Sequence, residues 1–206
     1  TQATSSAASD VYKRQVKSIQ CFQAWKGEAS GGTIETMFSS MDAKLARGGL
    51  GKFSLNPKNS LSENQKKNTN DKIKIQKIPH LGGWTGPFIM ALPNTRVVRR
   101  SAALSKTIGK YYGDDFVYSE GAYYSKKRAA QKVSFMTMAL GLVIVSPLRK
   151  LLRRFFRKPG EGPSQKAMDS GFFKSRFLVE TQDGFRAFSM SSSGDPGYKM
   201  TSRMAC

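Results

Sequence analysis

The segment from 133 to 158 constrains the fold more than any other part of the chain. Sixteen residues without a charged side chain, Val133–Leu148, run directly into a stretch dense in arginine and lysine. A helix needs about 20 apolar residues to cross a bilayer core of about 30 Å. Extending this run to Phe156 would place cations in the hydrocarbon, at about 2.5 to 3.5 kcal/mol each. A simple membrane span is therefore disfavoured.

The second half of this segment has the pattern of a basic amphipathic helix. Its apolar side chains recur every three or four residues, and the cations take the opposite face. Such helices lie in the interface of a lipid surface, where each cation near anionic lipid adds about 1 kcal/mol. We predict an apolar helix, a bend at Ser146-Pro147 and an interfacial helix, which together form a membrane-contact segment over 133–158. The predicted contact residues are Phe135, Met138, Leu142, Ile144, Leu148, Leu151, Leu152, Arg153, Phe155 and Phe156.

Other interpretations of the segment remain open. It could be a buried core helix followed by a solvated basic helix, or a short hairpin in the membrane. Basic residues interleaved with aromatic ones can also bind nucleic acid, and the chain has a formal net charge of +20. The apolar half has no use in such a site, and the sequence contains no helix-turn-helix, zinc-finger or RNP-like pattern. We therefore expect no nucleic-acid partner.

Cysteine and histidine are scarce, which excludes several kinds of chemistry. The two cysteines, Cys21 and Cys206, cannot build a disulfide framework or a thiolate cluster, and His80 is the single histidine. We therefore expect no metal and a reducing, intracellular compartment. Phosphate-loop, dinucleotide-binding and Ser/His/Asp arrangements are also missing from the sequence.

Periodicity along the rest of the chain predicts an α+β fold with a small, mostly antiparallel sheet and helices on one face. The hydrophobic and amphipathic helical element is inserted into it. A stretch rich in Asn and Lys has too few apolar groups to form a core, so we predict a flexible polar insertion over 48–77. The other predicted elements are a strand at Val16–Trp25, a helix over 33–47, a strand at Pro87–Leu92, a helix from Asn94 as N-cap to Ile108, a short helix starting at Pro163, two strands joined by a tight turn at Thr181–Gly184, and a final helix.

The domain organisation follows from these patterns. Residues 1–15 are small and polar and resemble a translated sequencing adapter, so we leave them out of the predicted fold. The predicted α+β domain comprises 16–132 and 159–206, on either side of the membrane-contact segment. Both ends of the chain have the pattern of truncation points, so we expect this sequence to be part of a longer protein.

Two short motifs are candidate anion sites. In GEASGGTIE, Gly31 and Gly32 could leave backbone N–H groups open to a phosphate or oxyanion at a helix N-terminus, although a tight strand-to-helix turn would need the same glycines. In RVVRRS, Arg99 and Arg100 could clamp a carboxylate or phosphate, or be solvated helix charges.

Four motifs occur in order along the chain: GGTIETMF, GGWTGPFIMALPNTRVVRRS, KLLRRFFRKPGEGPSQKAMDSGFFKSRFLVE and GDPGYKMTSRMA. In this order they resemble the C-terminal region of the saccharopine dehydrogenase-like oxidoreductases. That group includes the trans-acting enoyl reductases and an animal member associated with lipid droplets. The resemblance covers nearly all of the chain from Val16 to Cys206. ALPNTR and the polar stretch at 52–72 depart from the family pattern.

The resemblance implies an N-terminal Rossmann domain that binds NAD(P) and that this chain lacks. The chain would be the substrate-side domain of an oxidoreductase acting on a lipid-like or acyl substrate, and we expect no cofactor to bind it tightly. Trp84, Phe88 and Met90 would line a pocket, and Arg99 or Arg100 would orient an anionic group. No catalytic residue carries over from the family. The predicted substrate-binding residues are Gly32, Thr33, Trp84, Phe88, Met90, Arg99 and Arg100.

The expected partners are a lipid-like substrate and a surface, either a lipid droplet or the endoplasmic reticulum or mitochondrial membrane. A homodimer is also possible, since the sequence does not fix the oligomeric state. The alternative function is a non-catalytic lipid-surface protein that uses 133–158 as its anchor. In either case we expect this chain by itself to be inactive, because the cofactor domain is missing.

Overall fold

The computed structural model of the chain describes residues 16–28, 30–46, 51–71, 74–108, 115–146 and 158–205. The strands are β1 (Val16–Lys26), β2 (Gln76–Lys77), β3 (Trp84–Gly86), β4 (Val117–Tyr124), β5 (Phe172–Thr181) and β6 (Gly184–Ser193). The helices are α1 (Gly31–Ala46), α2 (Glu63–Asn68), α3 (Ala91–Ile108), α4 (Lys127–Val145), α5 (Gln165–Asp169) and α6 (Thr201–Ala205), with a π-helical turn at Pro196–Met200. The predicted α+β class is confirmed.

The strands form one mixed sheet of six strands in the order β2-β3-β4-β1-β5-β6. The central strands β1 and β4 run parallel, and every other neighbouring pair in this sheet is antiparallel. β5 and β6 form the predicted hairpin, in which Thr181 is paired with Gly184. Gly184 has a φ of 119°, which side chains other than glycine rarely adopt, so the turn requires glycine there.

The core lies on both faces of the sheet. On one face, Cys21 of β1 and Tyr118 of β4 pack with Ala102 of α3. On the other face, Phe22 and Leu178 pack with residues of the loop that precedes β3. Alternate residues of a strand point to opposite faces, which accounts for the separation of Cys21 from Phe22.

The two long helices α3 and α4 lie on the same face. Gly86 of β3 is paired with Ala122, which is on the Tyr118 side of β4. A Cβ added at Gly86 would approach Ser134 Oγ of α4 to 3.0 Å. α4 therefore crosses the sheet on the side where α3 packs, and the predicted placement of all the helices on one face stays a prediction.

The segment predicted as a flexible polar insertion contains a helix. α2 starts with a capping box, in which Ser62 Oγ accepts from Gln65 N and Gln65 Oε1 accepts from Ser62 N. Gln65 is buried, and its Nε2 donates to the carbonyl oxygen of Phe116 at 3.0 Å. We predicted no helix here because ENQKKN has no apolar face. Because α2 has no apolar face to bury, hydrogen bonds such as that from Gln65 to Phe116 hold it against the rest of the protein.

The boundaries predicted around residue 90 were wrong. The predicted strand at Pro87–Leu92 is replaced by β3, which ends at Gly86, and α3 begins at Ala91. Pro93 sits in the first turn of α3, where a missing N–H leaves no helical hydrogen bond unmade. Asn94 is consequently inside the helix and is not its N-cap.

Candidate functional site

Three large apolar side chains of α4 are exposed to solvent. Phe135, Met138 and Leu142 are 68%, 61% and 68% exposed. Among the α4 residues whose side chains the structure describes, those that are buried or partly buried are small: Ala130 is fully buried, and Ser134, Thr137 and Gly141 are partly buried. A helix of a water-soluble domain normally buries its large apolar side chains, whereas these three side chains of α4 face solvent.

Cations gather around the first turns of this helix. The exposed basic residues are Lys126, Lys127, Arg128 and Lys132. The sequence has no acidic residue between Glu120 and Glu161. We call the exposed apolar side chains Phe135, Met138 and Leu142, together with these cations, the α4 surface. Large apolar groups beside unopposed cations match the chemistry of an anionic lipid surface.

In the part of the chain that the structure describes, no helix combines the length and the apolar character needed to cross a membrane. Of the other predicted contact residues, Ile144 lies within α4. The other predicted contact residues, and Pro147 at the predicted bend, lie outside the described residues: Leu148, Leu151, Leu152, Arg153, Phe155 and Phe156. The predicted leader at 1–15 lies outside them too.

The glycine turn before α1 is filled by the protein itself. The N–H of Gly31 donates to the carbonyl oxygen of Glu161 at 2.9 Å. A Cβ added at Gly31 would lie 1.7 Å from the carbonyl oxygen of Lys158. Next to it, the N–H of Thr33 donates to Ser30 Oγ at 3.0 Å, while Gly32 is exposed. The segment 158–161 thus occupies the place where we considered a phosphate or oxyanion, and the turn does not fit the pyrophosphate of a dinucleotide.

The three residues predicted to line a pocket lie in β3, which contains Trp84, and in the loop that leads from it to α3, which contains Phe88 and Met90. Trp84 and Phe88 are half-buried, and Met90 is 44% exposed. Lys127 Nζ of α4 lies 5.3 Å above the centre of the Trp84 ring, which joins the α4 surface to this region. Two cavities of about 460 and 210 Å³ are lined by other residues, on the opposite face of the sheet. A pocket at Trp84, Phe88 and Met90 stays a prediction.

Arg99 is buried and surrounded by protein acceptors. Its Nη1 donates to the carbonyl oxygen of Lys52 at 3.0 Å, and its Nη2 to the carbonyl oxygen of Tyr118 at 3.1 Å. Nη2 also lies 3.0 Å from Asp71 Oδ1. Arg100, by contrast, is exposed and donates to the carbonyl oxygen of Leu55 at 2.5 Å. The structure therefore gives Arg99 a role that we did not predict, because it ties the polar segment to α3 and β4.

Asp71 forms salt bridges with two buried guanidinium groups. Arg96 donates to both of its carboxylate oxygens, at 3.0 and 2.8 Å, while Arg99 shares Oδ1. Arg96 and Arg99 are 3% and 5% exposed. Partial burial raises the pKa of the Asp71 carboxyl, but hydrogen bonds and charges from the two arginines outweigh this and hold the pKa below its usual range. Two arginines three residues apart on a helix were a usable signal, but their partner lies in a segment that we predicted to be flexible.

A second polar cluster is buried beneath α3, around Glu120. Glu120 is 1% exposed, and its Oε1 accepts from Gln23 Nε2 at 3.0 Å and from Asn94 Nδ2 at 3.2 Å. Its Oε2 has no hydrogen-bond partner among the described residues. Burial raises the pKa of this carboxyl, and the two amide hydrogen bonds only partly oppose the shift. Sequence analysis missed the cluster because we assigned no strand to VYSEGAYY. Among the described residues, no group of three or more His, Cys, Asp and Glu side chains could hold a metal ion.

We expect the variant Glu120→Gln to become more stable relative to the wild type as pH rises. An acid whose pKa is raised in the folded state keeps its proton there. Wild-type stability therefore falls as pH rises from the unfolded pKa of about 4.3 through the folded pKa. The amide cannot ionise, so it avoids this loss. Urea unfolding of both proteins at pH 5 and pH 8 measures the difference in their free energies of unfolding. The prediction would be contradicted if, relative to the variant, the wild type were more stable at pH 8 than at pH 5.

Known proteins that are similar to this chain are named as trans-acting enoyl reductases. No family model matches the chain, and no solved structure matches it. A protein of Mycobacterium tuberculosis provisionally named trans-acting enoyl reductase is 32% identical over 197 residues, which cover 87% of this chain and 46% of the relative. Trans-acting enoyl reductases of Mycobacterium bovis and Mycobacterium ulcerans are 36% and 37% identical over 132 and 117 residues, covering 60% and 52% of this chain and 31% and 27% of the relatives.

The chain spans less than half the length of these curated relatives. Its relatives are oxidoreductases by name, and the predicted resemblance to the trans-acting enoyl reductases is confirmed. None of the three names refers to saccharopine dehydrogenase, so the wider grouping stays a prediction.

Proposed function

We propose that the chain is the substrate-side part of an oxidoreductase that acts on an acyl or lipid-like substrate at a membrane or lipid-droplet surface. Similarity to enoyl reductases over 87% of the chain supports the class of reaction. The α4 surface is the structural observation that carries the proposal, because an enzyme for acyl chains must reach a substrate that prefers a lipid phase.

The energetics of the α4 surface favour docking along a lipid surface. Burying one side chain such as Phe135, Met138 or Leu142 completely contributes about 1.5 to 3 kcal/mol. Each cation beside anionic lipid adds about 1 kcal/mol. Ser134 of α4 packs against Gly86 of the sheet on the other side of the helix, so docking through the exposed side requires no unfolding of the domain.

The reduction itself needs a nicotinamide cofactor, which supplies the hydride. We propose that an N-terminal Rossmann domain outside this chain binds it, because the glycine turn at Gly31 does not fit a pyrophosphate. The residues of this chain would then bind and orient the substrate. Trp84 is the aromatic residue of β3 whose ring lies next to Lys127 of α4.

A triple substitution tests the α4 surface directly. The variant carries Phe135→Ser, Met138→Ser and Leu142→Ser. We expect it to bind vesicles containing phosphatidylserine at least about tenfold more weakly than the wild type, because the substitutions remove most of the apolar area that the α4 surface would bury in the lipid. Flotation with such vesicles and with neutral ones measures binding. The matched control is the triple Phe185→Ser, Phe188→Ser and Met190→Ser on β6, whose side chains are 49%, 56% and 52% exposed.

The control separates docking through α4 from general stickiness. It removes a similar apolar area from a strand that has Arg186 as its single charge, so we expect it to bind like the wild type. A wild type that ignores anionic vesicles, or two triples that lose affinity equally, would rule out the α4 surface as the docking site.

The oxidoreductase part is tested separately, by reading the transcript upstream of Val16. A strand that runs into G-x-G-x-x-G would supply the cofactor domain, and the longer protein should then oxidise NADH or NADPH with an enoyl thioester. A start codon directly before Val16 would remove the cofactor domain and favour the alternative, a non-catalytic lipid-surface protein.

A further inference from the structure

A polar cavity of about 460 Å³ lies on the sheet face opposite α4. Its floor includes Ser18 and Gln20 of β1 and Ser119 of β4, and one wall is made by Asn64 and Asn68 of α2. The Asn68 amide donates to the Asn64 side-chain oxygen, which aligns the two amides along that wall. The volume falls in the range of about 300 to 1,000 Å³ that is usual for small-molecule sites.

Several polar groups in this cavity have unused hydrogen-bonding capacity. Ser119 is 6% exposed, and its hydroxyl has no hydrogen bond to any described residue. Glu180 Oε2 accepts from Ser18 Oγ at 2.9 Å, and Asp115 Oδ1 accepts from Ser62 Oγ at 2.5 Å. Each of these contacts uses one carboxylate oxygen and leaves the second available to a ligand. Carboxylate oxygens only accept, so a ligand must bring donors, whereas the Asn and Gln amides both donate and accept.

Charge restricts the ligand further. Asp115 and Glu180 would repel an anion at the cavity. The side chain of Lys17, which also lines the cavity, offsets one of these two carboxylates and would repel a cation on its side of the cavity. A neutral compound that carries several hydroxyl groups satisfies both conditions.

We propose that this cavity binds a small neutral polyhydroxy compound, a sugar or a polyol. The site lies across the sheet from the α4 surface, and it does not depend on the proposed oxidoreductase function. Residues of α2 form part of it, so the polar segment that departs from the family pattern gives this chain a binding surface of its own.

Saturation-transfer NMR on the 206-residue chain tests the proposal. The probes are glucose and myo-inositol, with glucose 6-phosphate and spermidine as the anionic and cationic counterparts. We expect transfer to both neutral probes, and transfer at least about fivefold weaker to the charged ones. Ser119→Val fills the floor and Asn68→Ala removes a wall amide, and each should reduce transfer to glucose about fivefold. Ser191→Ala, at an exposed position on β6, is the control and should leave transfer unchanged.

Three results would overturn the proposal. The first is no transfer to glucose or inositol at tens of millimolar. The second is a signal that persists undiminished in Asn68→Ala, a substitution at an exposed position of α2. The third is a preference for spermidine or for the phosphorylated sugar, which would show that charge and not hydroxyl groups selects the ligand.

Discussion

Replacing Asp71 with asparagine should lower the free energy of unfolding by about 3 kcal/mol, because the variant leaves two buried guanidinium groups without a counter-charge. Arg96 and Arg99 are almost fully buried, while the Asp71 side chain is 25% exposed. Urea denaturation at pH 7 measures the change. The matched control, Asp169→Asn, makes the same chemical change at an exposed carboxylate that pairs with Lys199, and its unfolding midpoint should stay near that of the wild type.

The pH dependence of this effect has a definite sign. The pKa of Asp71 is lowered in the folded state, so its contribution is complete above the unfolded pKa of about 3.9 and is lost as pH falls through the folded pKa. The gap between wild type and Asp71→Asn should therefore shrink below about pH 4. An Asp71→Asn protein as stable as Asp169→Asn at pH 7 would show that the two arginines do not need the carboxylate.

The second large effect on stability is expected at Gly31, and the adjacent Gly32 serves as its control. Gly31→Ala should cost about 3 kcal/mol, because its Cβ would overlap the backbone of Lys158 and no side-chain movement can relieve the overlap. Gly32→Ala is the control one residue away, where an added Cβ would lie 3.8 Å from Ser30 Oγ, an ordinary contact distance. There the change should be neutral or stabilise α1 by up to about 1 kcal/mol.

Thermal and urea unfolding of both alanine variants distinguish a packing turn from an anion site. A packing turn gives a large loss at Gly31 and none at Gly32. If both variants were equally stable, the close contact between the turn and the segment 158–161 would be wrong, and the glycines would need another explanation.

Local patterns predicted the elements whose stability is local. The β5–β6 hairpin was predictable because alternation and a glycine turn define it within 22 residues, Phe172–Ser193. The strand β1 and the helices α1 and α4 were also predicted from their periodicity. By contrast, β4 was missed, because its buried Glu120 looks unsuitable for a central strand until Gln23 and Asn94 are seen to donate to it.

The site was only partly accessible from the sequence for the same reason. The apolar content of α4 was evident, but the side of the helix that faces solvent is fixed by Ser134 against Gly86, a contact between distant segments. Likewise, the sequence indicated Arg99 as a residue that could bind an anionic group, whereas its partner Asp71 lies in a segment whose composition favours disorder. Long-range polar pairing leaves little trace in one sequence without relatives aligned to it.

The position of β1 has a consequence for biosynthesis. β1 is flanked by β4 and β5, and the hydrogen bond from Ser18 to Glu180 joins residues 162 positions apart. Pairings between such distant segments form slowly. At synthesis rates of about 5 to 20 residues per second, β1 waits on the order of ten seconds before β5 leaves the ribosome. Until β5 emerges, β1 has at most β4 beside it, so the sheet around Ile19, Phe22 and Trp25 is incomplete and we expect β1 to be a chaperone-binding segment before it becomes the centre of the fold.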